Sequence, residues 1–527
     1  MSDLLFTNGT SWTGTVTTDA LAVSGGRVTA LGKQALRRGG RLVDLDGGFL
    51  MAAFGDGHAH PLFGGLEAQG PRIKELGSVA EIITEVGRYA AANPSPDWIV
   101  GGSYDPTIVP DGEFDARWLD EAVRDRPVVL RAYDYHTVWC NTAALVRAGI
   151  GPGTPDPRLG RIVRRADGSP LGTLREWHAC DLVLGLTPPK PLDELVEGLA
   201  EAGRAMSAAG ITWVQDAWVE PDTVEAYLEA AARGVLSFRA NLGLRADPDT
   251  WREQRAIFAA QRDRVREARP ELITANTVKF FADGVIEGGT AAMLAPYDDA
   301  PGCCGLPVWE PAALAEAVTA FDADGFQAHI HAIGDGGVRT ALDAIARATQ
   351  QNPPWDRRPV ITHAQLVDPS DLTRFAQLKV IANFEPFWAQ PDALQTELTV
   401  PRLGPERAAR QYPMRTLLEL GTVLSFGSDW PVSPYEPLLG VQIATTRQTV
   451  DGSPPWAPGE RLAVEDALRA YTSGVARQAF ADDRRGVLAM GTDADLVWLG
   501  SDPRLVDPLK IRHIPVLGTW MAGERIH

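Results

Sequence analysis

The sequence predicts an α/β fold: a (β/α)8 TIM-like barrel with a small β-sandwich domain formed by both termini. Two observations predict it. Short apolar runs alternate with amphipathic Ala- and Leu-rich stretches through the middle of the chain, and both ends read as Gly-punctuated hairpins. Runs of about four to eight apolar residues alternating with helical patterns imply a parallel sheet. Eightfold closure suits a chain of 527 residues. An open doubly wound sheet is the rival, but no Gly-rich phosphate fingerprint follows any of the runs.

Residues 1–50 (LLFTNG, DALAVSGGRVTALG, RLVDLDGGFLM) and 480–527 (GVLAMGTDADLVWLG, IPVLGTWMAGERIH) share one texture, apolar alternation broken by Gly, Asn and Asp. They are expected to form one β-domain around a catalytic barrel over 51–479. Within the barrel, FLMAAFGDGHAHP comes first. ITWVQDAW (211–218), FRANLGLR (238–245), TVKFFADG (277–284), FQAHIHAIGD (326–335), PVITHAQLV (359–367), KVIANFEPF (379–387) and TVLSFGSDWPV (422–432) follow as strands. LDELVEGLAEAGRAMSAAG and PAALAEAVTAFDADG have helical spacing and end on Gly. Residues 62–205 are rich in Pro and Gly and too long for one connection. They are expected to be an insertion over the barrel mouth, with the second barrel strand as an optional part of it.

Composition bounds the function. With 45% hydrophobic and 22% charged residues the chain is an ordinary globular protein. A net charge of −18 argues against nucleic acid or an anionic membrane as partner. The N-terminal stretch lacks the features of a signal peptide, and no apolar run approaches the ~20 residues that span a bilayer. Cys140, Cys180, Cys303 and Cys304 are too few and too irregular for a disulfide framework. A cytoplasmic protein with reduced thiols is the expectation.

Five of the nine histidines fall at the polar ends of predicted strands. His58 and His60 are two apart, so strand alternation turns both imidazoles to one face, where they can share a cation. His329 and His331 repeat that spacing, His363 closes PVITHA, and Asp429 closes TVLSFGSD. His331 and His363 lie 32 residues apart, about one βα unit, and Asp429 lies 66 further on, room for two. The three therefore fit strands five, six and eight, at the end where such barrels build active sites. Taken singly, a strand-end histidine is more often a satisfied polar residue than a ligand; the ordered set resists that reading.

These residues and their order resemble the amidohydrolase superfamily, in the branch typified by N-substituted formamide deformylase and YtcJ-like proteins. The motifs that carry the resemblance are FGDGHAHP, HTVWCNTAALVRAGI (136–150), LGTLRE (171–176), VKFFADG (278–284), HAIGD (331–335), THAQ (362–365), PMRTLLELG (413–421), FGSDWPV (426–432) and GTDADLVWLG. The resemblance implies a metal-dependent hydrolase in which His58 and His60 hold one divalent cation and His331 and His363 a second. Zinc suits such ligands best, with manganese or iron as alternatives. Asp429 would be both ligand and proton shuttle. Lys279, carbamylated, would bridge the metals, with Glu176 as a competing carboxylate, ligand or substrate contact. His136 is the candidate donor to the carbonyl oxygen. Trp139, Asn141, Trp388 and Trp430 are candidate substrate contacts, and the aromatic loops suggest a bulky apolar substituent on a small-molecule substrate.

His329 is expected behind the ligands, Asp335 to fix its loop, His178 at the surface, and His513 and His527 structural or solvated. The reaction implied is cleavage of an amide-type C–N bond, in an N-substituted formamide, N-acyl amine or cyclic amide. A single-metal deaminase of a cyclic amidine and a catalytically silent binding relative are the alternatives. A homodimer is an option that the resemblance raises.

Overall fold

In the computed structural model, which describes residues 3–527, eight parallel strands form the centre of the molecule. They are β1 (Phe54–Ala59), β2 (Ile211–Val219), β3 (Arg239–Arg245), β4 (Ile273–Phe281), β5 (Gln327–Ala332), β6 (Val360–His363), β7 (Ile381–Phe384) and β8 (Val423–Phe426). Each pairs in parallel with the next, from β1 to β8. The ends of the ladder meet just past β8, where the Ser428 and Asp429 amides donate to the His58 carbonyl at 3.2 and 2.7 Å. The strands are buried along most of their length, which is why they read as apolar runs rather than alternations.

Helices cover the outside in the order that the sequence patterns require. Leu192–Ala208 precedes β2 and Pro311–Ala323 precedes β5, the latter ending near Gly325, whose φ of +77° favours a residue without Cβ. Inside the barrel floor, Gln215, Asn241, Thr277 and Gln327 hydrogen-bond in series at 2.6–2.7 Å. Gln327 passes the chain on to the Gln478 carbonyl, whose own amide donates to the Gly57 carbonyl at 2.7 Å. A satisfied polar layer of this kind fixes strand register where an apolar plug would tolerate slippage.

Both termini fold together into two small sheets. One carries Leu4–Thr7, Leu21–Ser24, Arg27–Leu31 and Arg41–Asp44. The other joins Thr10–Trp12, Thr17–Thr18 and Phe49–Ala52 to Leu496–Leu499, Val516–Met521 and Glu524–Arg525. Leu496–Leu499 pairs antiparallel with Phe49–Ala52, immediately before β1.

Between β1 and β2 the chain builds a separate layer with its own five-stranded mixed sheet, Ile99–Tyr104, Val128–Ala132, Thr137–Cys140, Arg161–Arg164 and Pro170–Arg175. None of these strands joins the barrel sheet. The allowance for a barrel strand inside 62–205 is therefore corrected: β2 begins at Ile211, after the insertion has closed on its own core around Tyr104, Phe114 and Trp139. Among the described residues, no helix is long and apolar enough to cross a membrane.

Candidate metal centre and its cavity

The seam between β1 and β8 assembles the first group of candidate ligands. Asp56 accepts from the amides of His58 (3.1 Å) and Ser428 (3.0 Å), tying the end of β1 to the loop after β8. The His60 amide donates to the Trp430 carbonyl at 2.7 Å. These ties bring Asp429 Oδ1 to 3.2 Å from His58 Nε2 and 2.9 Å from His60 Nε2. Ligand atoms of the three buried residues lie within 4.8 Å of one another, the one such grouping among the described residues. Asp429 holds a left-handed φ of 55° and His363 one of 71°, a conformation that costs a non-glycine residue about 1–3 kcal/mol and that proteins tolerate where position matters.

His331 on β5 and His363 on β6 sit beside this group one ladder step apart, His331 opposite Thr362 and Ala332 opposite His363. Their rings are 4.6 Å apart, and His363 is 4.9 Å from His58. Three of the imidazoles are oriented from behind. His58 Nδ1 meets His329 Nε2 at 2.8 Å and the Thr362 hydroxyl at 2.9 Å, and His363 Nδ1 donates to Glu385 at 2.7 Å. His331 Nε2 meets the Gly284 carbonyl at 3.1 Å with Asp283 3.7 Å away, whereas Asp216 stands 3.9 Å from His60, beyond hydrogen-bond reach. Such outer partners set tautomer and direction in metal-binding histidines. His329 thus stands behind His58.

Glu385, Asp283 and Asp216 carry no assignment in the sequence reading. Glu385 could have been found, because it directly follows β7 in KVIANFEPF. Asp283 carries the same signal, two residues past β4 in VKFFADG, whereas Asp216, inside β2, has none.

Burial, with the neighbouring basic groups adding to it, holds His58, His329, His331 and His363 well below the usual imidazole range. Neutral imidazole is the metal-binding form. Lys279, opposite His329 in the ladder, is fully buried and its Nζ has no hydrogen-bond partner. Burial brings its amine down to about 7, although Asp429 and Glu385 pull the other way. Neutral nitrogen donors, a carboxylate among them and an orphaned amine fit a divalent cation.

Glu176 does not stand in this group. Its carboxylate accepts from His136 Nδ1 at 2.9 Å and from the Thr290 hydroxyl, so each oxygen has a partner. Glu176 therefore stands behind His136 and outside the His58, His60 and Asp429 grouping. Burial opposes charge on His136, but the Glu176 carboxylate prevails and raises the imidazole to about 9. With Nδ1 taken, Nε2 is the nitrogen that His136 presents to the cavity.

The cavity has a volume of about 350 Å³ and is bounded by His58, His60, His331, His363 and Asp429 at one end. The insertion roofs it with Lys74, Tyr133, His136 and Trp177 among others, which is how residues 62–205 reach the barrel mouth. Trp388 lines it and stacks on His363, rings 5.0 Å apart and 7° from parallel. Three other candidate contacts lie elsewhere. Trp139 is fully buried in the insertion core, 4.9 Å from Phe114. Asn141 caps the helix Thr142–Arg147 and spends its amide on the Val123 and Arg126 carbonyls. Trp430 packs its ring over Gly64 and against Tyr435.

Asp335 accepts from the Leu294 amide at 2.8 Å and so ties down the loop after β4 rather than the loop that follows its own strand. His178 is half-buried rather than superficial, and His513 and His527 are exposed.

A parallel barrel with a buried His–His–Asp group at its strand ends is the layout of a metal-dependent hydrolase. The chain belongs to the amidohydrolase family, whose pattern it matches over residues 41–527. It is 29% identical over 494 residues to the putative amidohydrolase YtcJ of Bacillus subtilis (strain 168), covering 92% of this chain and 90% of that one. It is 25% identical over 523 residues to N-substituted formamide deformylase of Arthrobacter pascens, covering 96% and 94%. The crystal structure of an uncharacterized metal-dependent hydrolase from Pyrococcus furiosus superposes with a TM-score of 0.73 at 26% identity, over 95% of this chain and 100% of that one.

Proposed function

We propose that this protein hydrolyses an amide-type C–N bond of a small molecule, an N-substituted formamide or N-acyl amine, in the cytoplasm. The observation that carries the reading is the convergence of His58, His60 and Asp429 at one end of a buried cavity, with Lys279 beside them. The likeness to N-substituted formamide deformylase over nearly the whole chain supports the bond type. The four cysteines, all free thiols, accord with a reducing compartment.

His58, His60 and Asp429 would hold one divalent cation, with zinc the best match, and His331 and His363 a second. Lys279, as its carbamate, would be the shared ligand. Bound cations supply Lewis acidity toward the carbonyl and make water acidic enough to react near neutrality. The chain does the rest. Asp429 accepts the proton of the attacking water and returns it to the departing nitrogen, giving a carboxylic acid and an amine. His136, held protonated by Glu176, donates from Nε2 to the oxygen that gains charge. Glu385 keeps His363 in one tautomer, and Trp388, Trp177 and Phe281 keep bulk water out.

One observation favours a second reading: His331 and His363 stand outside the three-ligand grouping. A mononuclear site, as in a cyclic amidine deaminase, would use the compact set alone.

Turnover of a panel of N-substituted formamides and N-acyl amines tests the proposal, with Asp429→Asn as its control. The expected result is release of free amine, reduced in the variant by at least about a hundredfold with the thermal midpoint preserved. Release of amine at the same rate in both proteins, or from no member of the panel, would sink it.

A further inference from the structure

The cavity has a second end. Beyond His136, whose ring is 5.5 Å from His331, the lining changes from histidine to carboxylate. Asp105, Asp134, Glu287 and Asp392 all line it there, around the phenol of Tyr133, whose ionisation burial and all four carboxylates oppose. Burial first, and repulsion from Asp134 next, push Glu287 up to about 7. Burial, with Asp105 adding, pushes Asp392 up to about 6.

No lysine or arginine side chain bonds to these four carboxylates, and the nearest cation, His136, is already held by Glu176. Arg402 places its guanidinium on the Glu287 carbonyl and on Asp299. Arg175 spends its own on the Asp111 carbonyl. Lys74, the one lysine or arginine among the lining residues described, donates to the Pro431 carbonyl.

A second observation is independent of charge. Gln395, only 3% exposed, lines the same end, its backbone amide 3.0 Å from Asp392 Oδ1. Its side-chain nitrogen reaches the Tyr412 hydroxyl at 3.2 Å, and Oε1 has no partner. Either orientation of the amide leaves one polar atom unsatisfied, a cost that proteins seldom carry without a ligand to relieve it. Trp177 and Phe281, ring centroids 4.9 Å apart, line the cavity with apolar surface as well.

We infer that the carboxylates around Tyr133 and Gln395 form a subsite for an organic cation, so that the substrate is an amide carrying an ammonium or guanidinium group across an apolar spacer. The assignment of the amide to this cavity rests on the proposed hydrolysis; the cation subsite does not. Asp105, Asp134 and Asp392 accept from nearby amides and hydroxyls but meet no lysine or arginine; a purely apolar substituent would desolvate them further, whereas a cation supplies counter-charge as it is buried.

Calorimetric binding of benzylguanidinium and benzylurea to the protein as purified tests the subsite. The two probes match in shape and differ in charge, and a guanidinium makes no metal ligand. Benzylguanidinium is expected to bind at least roughly tenfold more tightly. In Glu287→Gln/Asp392→Asn that advantage should fall to near unity, with metal content and thermal midpoint unchanged. If the double variant does not fold, Glu287→Gln alone should reduce it. Equal binding to the wild-type protein, or an advantage that survives substitution, would overturn the inference. A cation preference in a protein that hydrolyses no amide would support the subsite while sinking the hydrolase reading.

Discussion

At the scale of single residues, the cavity separates two histidine environments by their partners. Burial holds His58, His331 and His363 well below the usual imidazole range, although Asp429 opposes it at His363. His136 is as deeply buried, but Glu176 raises it from 6.5 to about 9. The sign of that linkage is fixed. A raised imidazole pKa stabilises the fold fully below pH 6.5, and the contribution disappears as pH climbs through about 9. A donor that must be protonated also predicts an alkaline limb in kcat/KM near pH 9. In Glu176→Gln the limb should move toward neutrality by at least about one unit. A pH–rate profile of the two proteins checks this, and an unmoved limb would remove His136 from the chemistry.

At the scale of elements, the short helix Pro61–Glu67 that follows His60 lies hard against Leu192–Ala208. A Cβ on Gly65 would stand 1.9 Å from the Gly198 carbonyl oxygen, where no flexible side chain can yield. Gly65→Ala is expected to cost about 1–3 kcal/mol, read as a lower thermal midpoint. An unchanged midpoint would mean that the two helices are not so closely seated. The barrel strands were legible in the sequence because strands buried on both faces read as unbroken apolar runs. His58, His60, His331, His363 and Asp429 were legible because strand ends concentrate polar residues at fixed spacings. Trp139 and Asn141 misled for the opposite reason: they adjoin a motif along the chain, but their strand and cap face the insertion's own core. Glu385 went unassigned because its role depends on a contact with the neighbouring strand.

At the scale of the whole molecule, the tail and the start of the chain are one structural unit with the barrel. The Asp495 carbonyl accepts from the Ala53 amide at 2.9 Å, Arg239 pairs with Asp495 at 2.5 Å, and the Thr519 hydroxyl reaches the Ser207 carbonyl at 2.7 Å. Removing residues 480–527 would strip the partner of Phe49–Ala52 and uncover the foot of β1. Such a truncation is expected to lose cooperative thermal unfolding altogether; retention of a sharp transition would show that the barrel folds without its tail.

The central claim, that the strand-end histidines and Asp429 hold catalytic metal, is tested most directly by metal content per chain. Mass spectrometry of protein purified without chelator should find close to two divalent ions, reduced in His58→Ala and Asp429→Ala. A value near one would favour the mononuclear reading and leave Lys279 without a bridging role. No bound metal, even after addition of zinc or manganese, would contradict the account.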